Sequence, residues 1–393
     1  VTPAAPLHFH ASKEGCVMDI TTVRAEYPIA ATHAYLNHAS FSPLNNRIVR
    51  AINEHLALMQ TTPFESAREE IIGVMEDFKT RAARLINAAR DDELTAIVNT
   101  AYGINTAAQS LPLRAGDNVL VVEGDYPSLI YPWLNLAPRG VLVKWVPQHE
   151  GGLDLDRLAA RIDPRTRVIA VSTVMFATGY KNDIAAVGAL CRERGIYFVV
   201  DGIQSLGAFP LDVQACHIDV LAAGSQKWLL SPPGGGFLYC RHELLDDLQL
   251  GAYVGAGSTV DPFNFLDYNF TLQPSSERFS LGTPNLPGIV GLHATLGMLE
   301  EIGVAAIAER VIQLTDVFIN DMQERGYRVL SNLAPERRSG IVIVEVPDPA
   351  QAAAKLLEAN VVTSVRGGGI RISPHVYNNE EDVLRVGAVL GNR

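Results

Sequence analysis

The chain has 393 residues, enough for two or three domains at roughly 150 residues each. Its 32 Lys and Arg against 43 Asp and Glu leave a net charge of −11, which argues against a nucleic-acid partner and against an anionic membrane surface. Apolar residues make up 48% and charged residues 19%, a globular composition without a disorder signature. Residues 1–17 lack the basic start and apolar stretch of a signal peptide and are expected to form a flexible extension. No run of 18 apolar residues is present, so no bilayer span is expected. Cys16, Cys191, Cys216 and Cys240 are widely spaced. That spacing suggests neither a zinc site nor a disulfide framework, and the expected compartment is the reducing cytoplasm.

Ile71, Met75, Phe78, Ala82 and Leu85 step by four, three, four and three, which lines one face of a helix over 65–88. Short β-rich runs follow at 95–98, 118–122, 141–146, 168–172, 197–201, 220–223 and 236–240. Helix-length segments such as 155–162 and 185–194 separate most of them. The alternation predicts an α/β fold with a largely parallel sheet covered on both faces. The last two runs are too close for a crossover helix, so one strand there is expected to be antiparallel. A long helical stretch is predicted over 286–326. Strands at 328–330 and 340–346, a helix at 350–359, strands at 361–365 and 369–373 and a last helix then read as a small α+β domain. The expected division is an N-terminal segment with helices at 18–90, a large domain at 91–285 and the small domain at 286–393.

In open α/β sheets ligands sit at the carboxyl ends of the strands. YFVVDGIQS places Asp201 at the end of an apolar strand, where a carboxylate must be paired, face a ligand or cap the next helix. Lys227 follows another strand, is flanked by Trp228, Leu229 and Leu230, and precedes the turn Pro232–Gly236. Burial lowers an amine's proton affinity and makes it a usable nucleophile for a carbonyl. An acid and a lysine so placed suggest pyridoxal 5'-phosphate, which needs a lysine for its Schiff base and an acid for its ring nitrogen. Its phosphate needs backbone N–H groups at a helix start. IVNTAYGINTAAQ offers Thr100, Ala101 and Tyr102 there, with a plain cap as the other reading of Thr100.

The stretch from Asp201 to Arg241 resembles the fold-type I pyridoxal-phosphate enzymes of the class V aminotransferase superfamily. Cysteine desulfurases, selenocysteine and cystine lyases, kynureninase, isopenicillin-epimerase-like enzymes and small-amino-acid:glyoxylate aminotransferases belong to it. The order D-G-x-Q-S-x-G-x-x-P-L-D, then twelve residues, then S-Q-K-W and P-P-G-G-G-F-L-Y carries the resemblance. It implies a large domain with a mostly parallel seven-stranded sheet, a small C-terminal α+β domain and a homodimer with composite sites. It implies that Lys227 bears the Schiff base, Asp201 pairs with the ring nitrogen and Gln204 hydrogen-bonds the ring hydroxyl oxygen. Tyr126 would stack on the ring, and Thr100, Ala101, Ser225 and Gln226 would line the phosphate. Thr283 would reach the phosphate of a neighbouring subunit. Arg371, in GIRIS, would clamp the carboxylate of a small amino-acid substrate, with Asn37 and His38 on the substrate side.

Departures from the pattern narrow the activity. Desulfurases that relay a persulfide need a loop cysteine before the carboxylate arginine, and VVTSVRGGGIRIS has none. VSTVMFATGYKND is similar to kynureninase, but Gln204 stands where kynureninases have His. The reading that results is an aminotransferase passing an amino group to a 2-oxo acid. A C–S lyase working by β-elimination and an epimerase are the alternatives.

Overall fold

A computed structural model describes residues 20–249, 253–264 and 266–393, so the extension expected at 1–17 lies outside the described residues. The N-terminal part contributes a two-residue strand, β1 (Ala34–Tyr35), and two long helices, Asn46–Thr61 and Phe64–Ile86. The large domain is built on a seven-stranded sheet. Its strands are β2 (Leu94–Ala96), β3 (Asn118–Val122), β4 (Leu142–Val146), β5 (Thr166–Ser172), β6 (Tyr197–Asp201), β7 (Val220–Gly224) and β8 (Gly236–Cys240). They lie in the order β2-β8-β7-β6-β5-β3-β4. All neighbours pair in parallel except β8, which runs antiparallel to both β2 and β7. The short β7–β8 connection dictates this, because a parallel return would need a crossover helix.

Strands β3 and β7 are buried along their whole length. NVLVV and VLAAG can form such strands because apolar side chains serve both faces of a parallel sheet covered by helices. One face packs into a core with Phe78, Leu158, Val187 and Leu296, the other into a core with Ile104, Trp133 and Leu136. Going from β3 to β4 the chain moves outward, and with β5 it returns to the opposite side of β3. The crevice for a ligand is expected at that reversal, at the carboxyl ends of β3 and β5.

The small domain carries β9 (Val342–Glu345), β10 (Val361–Val362), β11 (Ser364–Arg366) and β12 (Gly369–Ile372). β11, β12 and β9 form an antiparallel sheet with β12 in the middle. β10 leaves that sheet and pairs in parallel with β1. Ala34 and Leu36 thus share a core with Leu314, Val344, Ile370 and Val386.

The structure differs from the sequence reading in three places. The helical stretch expected over 286–326 is two helices, Leu286–Ile302 and Val304–Glu324, divided at Gly303, whose φ of +86° no helix admits. The strand expected at 361–365 is split, because Val361 and Val362 pair with β1 while Ser364 begins β11. The strand expected at 328–330 is reduced to one bridge between Val329 and Val344. Among the described residues no helix is long and apolar enough to cross a membrane.

Candidate active site

Asp201 ends β6, and its carboxylate is almost fully buried. Oδ1 accepts the N–H of Ile203 at 2.9 Å, whereas Oδ2 is buried without any partner. A buried oxygen left so costs free energy unless a donor arrives from outside the chain. Burial, with a smaller contribution from the nearby Asp125, pushes the carboxyl above its usual range, and Lys227 acts in the other direction. A ligand carrying a protonated ring nitrogen would supply both the missing donor and the missing positive charge.

Lys227 lies beyond the end of β7 in a tight loop. Leu230 N donates to the Lys227 carbonyl at 3.0 Å, and Ser231 N donates to the Ser225 carbonyl at 3.1 Å. Leu230 holds a φ of +55°, a conformation that branched side chains rarely take and that costs about 1–3 kcal/mol. The loop is anchored through Trp228, whose indole N–H donates to Gln204 Oε1 at 3.0 Å and whose carbonyl meets His375 Nε2 at 3.1 Å. The Lys227 amine stands 5.2 Å from the centroid of the Tyr126 ring. Burial is the largest influence on it and lowers its proton affinity, against the pull of Asp201.

Tyr126 follows β3 at the sheet's reversal point, held by its N–H to Asp125 Oδ1 at 2.7 Å. Asp125 also takes the hydroxyl and the N–H of Ser172, at 2.6 and 3.1 Å, and so ties β3 to β5. The Tyr126 ring is 40% exposed and meets Phe176 edge-on at 5.1 Å, leaving a face open toward the lysine. Gln204 spends Oε1 on Trp228 and one Nε2 hydrogen on the Ala39 carbonyl at 3.1 Å. Its second amide hydrogen has no partner among the described residues.

The expected phosphate residues surround the start of the helix Thr100–Ser110. Its cap is Asn99, which accepts the N–H of Tyr102 at 2.8 Å. That corrects the alternative reading of Thr100 as the cap: Thr100 lies inside the helix and its hydroxyl accepts Gly224 N–H at 2.8 Å. Thr100 is thereby bound to the end of β7, one residue before Ser225 and two before Gln226. Ser225 is fully buried and donates to the Pro232 carbonyl at 2.5 Å, while the Gln226 carbonyl takes Ser42 N–H at 2.8 Å. A Cβ on Gly236 would stand 2.4 Å from the Ala223 carbonyl oxygen, so only glycine fits beside β7 there. Thr283 is exposed and lines a surface recess with Val98, Tyr102 and Gly234.

Arg371 is 1% exposed, on the central strand β12. This overturns the alternative of a surface arginine on an edge strand. Its guanidinium donates to Ser364 Oγ (3.0 Å), the Phe176 carbonyl (2.9 Å) and Ser40 Oγ (2.5 Å). None of these partners is a carboxylate, and burial lowers the group's pKa to about 10. Ile370 and Ile372 point the other way, into the small-domain core. Asn37 bridges to Ser373 by its backbone, and its Oδ1 is buried without a partner.

His38 is different. Its Nδ1 lies 2.9 Å from the Ser373 carbonyl and its Nε2 3.1 Å from the Tyr377 hydroxyl. It is fully buried, and desolvation lowers its pKa to about 4. With both nitrogens engaged, His38 has none left for a substrate, and the expectation that placed it there is corrected. Sequence reasoning missed Asp125, Ser40 and Ser364. Asp125 carries the same signal as Asp201, an acid just after an apolar strand, whereas the two serines have no sequence signal.

The residues present fit pyridoxal phosphate: an unpaired buried amine, an orphaned carboxylate oxygen, an open aromatic face and a helix start among buried hydroxyls. Asp201→Asn should leave the cofactor attached but slow turnover by roughly 10- to 100-fold, the scale of one charge-assisted hydrogen bond. Steady-state rates at equal cofactor content check this. An undiminished rate would make Asp201 only the cap of the turn at Ile203.

Comparison with known proteins gives a match over residues 34–386 to the family described as Aminotransferase class-V. A probable cysteine desulfurase of Methanothermobacter thermautotrophicus is 29% identical, covering 94% of this chain and 96% of its own. The uncharacterized aminotransferase YcbU of Bacillus subtilis is also 29% identical, covering 92% and 94%. In structure, the chain is similar to the apo form of a cysteine desulfurase from Thermococcus onnurineus. The TM-score is 0.87 at 24% identity, over 95% of this chain and 98% of that one.

Proposed function

Because the chain belongs to the class V aminotransferase family, we propose that it is an amino-acid aminotransferase that works on the Cα–H bond of its substrate. The family's cofactor is pyridoxal phosphate, which when bound withdraws electrons from Cα and so makes its proton removable. Lys227 would hold the cofactor covalently, and its amine would be the base that takes the Cα proton and returns it. Asp201 Oδ2 accepts the ring N–H and keeps the ring cationic. Tyr126 covers one ring face, Gln204 orients the ring oxygen, and Thr100, Ala101, Tyr102, Ser225 and Gln226 surround the phosphate. Thr283 serves a partner's phosphate in a homodimer, and light scattering that finds an active monomer would remove it from the site.

One observation carries the reading: Arg371 is a buried guanidinium without an anion. A desolvated cation in a fixed fork, hydrogen-bonded only to neutral oxygens, is a binding site for a planar carboxylate. Asn37 Oδ1 supplies an unused acceptor nearby for the substrate. Transamination is favoured over persulfide transfer because the described cysteines, Cys191, Cys216 and Cys240, have thiols pushed up by burial. A thiol acts as a nucleophile only as the thiolate.

The relatives named as cysteine desulfurases favour a second reading, cleavage of the C–S bond of a cysteine-like substrate. Mixing concentrated holoenzyme with single amino acids separates the two. Transamination yields one equivalent of a 2-oxo acid per site and then stops until another oxo acid is added. Continuous release of pyruvate and ammonia would establish elimination instead.

A further inference from the structure

Two guanidinium groups belong to the β11–β12 hairpin, and the reading above uses only one. The hairpin closes through Gly367 and Gly368, with φ of +57° and +83°. Two consecutive positive φ values make the tight turn whose twist matches the strands and fixes their register. That register pairs Ser364 with Arg371 and Arg366 with Gly369. Side chains alternate along a strand, so Ser364, Arg366 and Arg371 share one face. The bond of 3.0 Å from Arg371 Nε to Ser364 Oγ lies on that face, which is the face turned to the active site. Arg366 and Arg371 are diagonal neighbours on it, a relation that corresponds to about 7–8 Å between backbones.

The hairpin tip is also held against the site wall. A Cβ on Gly367 would stand 2.4 Å from the Ala177 carbonyl oxygen, next to the Phe176 carbonyl that holds Arg371. Arg366 is exposed and donates to the Val365 carbonyl at 2.7 Å; among the described residues it has no carboxylate partner. Its positive charge opposes the protonated forms of both Lys227 and Arg371, so three cations act on one another here, and Asp201 is the carboxylate that acts on Lys227. The excess runs against the chain's overall charge of −11.

We infer that Arg366 is a second anion-binding group, and that the substrate is an amino acid whose side chain ends in a carboxylate. A cationic side chain would be repelled, and a neutral one would leave Arg366 unused. The inference rests on the reading of Arg371 as the α-carboxylate clamp. The 2-oxo acid that receives the amino group occupies the same space, so it too carries a second carboxylate.

Calorimetric titration of the holoenzyme with glutarate and with its monoamide, glutaramate, tests this without requiring turnover. The wild type should bind glutarate about tenfold more tightly, the scale of one charge-assisted contact. Arg366→Gln should reduce that preference to about onefold, and Arg371→Gln should weaken both ligands. A wild type without the preference, or an Arg366→Gln variant that keeps it, overturns the inference while loss of both ligands in Arg371→Gln leaves the clamp standing. Affinities that Arg371→Gln does not change, or a wild type that binds neither ligand, overturn the clamp and this inference with it.

Discussion

Replacing Lys227 by alanine should lower turnover by roughly 100- to 10,000-fold or more, since a positioned acid–base group alone supplies that range and the attachment point is lost as well. Lys79 and Lys144 are committed elsewhere, Lys79 to Glu76 and Glu277 and Lys144 to Asp163. The loss should come without unfolding. Lys227 is a buried amine without a hydrogen-bond partner among the described residues, and its desolvation opposes folding in the charged form, so removing it relieves a cost. Thermal melts of the variant should therefore match or exceed those of the cofactor-free wild type. A variant that still forms a borohydride-reducible bond to the cofactor would refute the assignment.

Substitution of Arg371 should act on the substrate and spare the cofactor. Arg371→Ala removes a desolvated partner of a carboxylate, which costs about 2–5 kcal/mol, or roughly 30- to 4,000-fold in kcat/KM. Arg371→Lys keeps the charge but loses the planar fork; Ser40, Ser364 and Phe176 would then face three rotating donors in place of fixed ones. Its defect should lie mainly in KM. The visible absorbance of the bound cofactor should persist in both variants, because among the described residues no hydrogen bond joins Arg371 to Asp201, Gln204 or Thr100. Kinetics with an amino acid and with its amide supply the control. Wild-type enzyme that handles the amide as well as the acid would show that Arg371 is not the clamp.

Much of this architecture could be read from local patterns. The apolar runs NVLVV, YFVVD and GFLYC correspond residue for residue to β3, β6 and β8, because strands buried on both faces leave an uninterrupted apolar signal. The antiparallel β8 followed from the length of its connection. Signals carried by a single residue were weaker. Gly303 divides a helical pattern that periodicity alone joins, and it does so through its backbone conformation. The separation of β10 from β11 depends on β1, more than three hundred residues upstream in the chain, which no local window contains.

The site shows the same division. Lys227, Asp201 and Arg371 stand in motifs and in or just after strands, and the fold buries all three. His38 was misjudged because its motif, AYLNHASF, shows that the segment approaches the site but not which way the ring turns. Tyr377 and Ser373 decide that from the far end of the chain. Ser40 and Ser364 escaped notice because a serine hydroxyl holding a guanidinium looks like any loop serine until the strands are paired. Arg366 becomes visible only with the register of β11 against β12 in hand.

In the proposed reaction Lys227 takes the Cα proton of an amino acid held at Arg371. Proton NMR in heavy water, with holoenzyme and L-glutamate, L-aspartate, L-alanine or L-cysteine in turn, observes that bond directly. The Cα–H signal of at least one of them should disappear through exchange with solvent deuterium under wild-type enzyme, and should persist under Lys227→Ala and, at subsaturating substrate, under Arg371→Ala. Exchange that continues in Lys227→Ala, or products formed by wild-type enzyme with the Cα proton retained, would contradict the account.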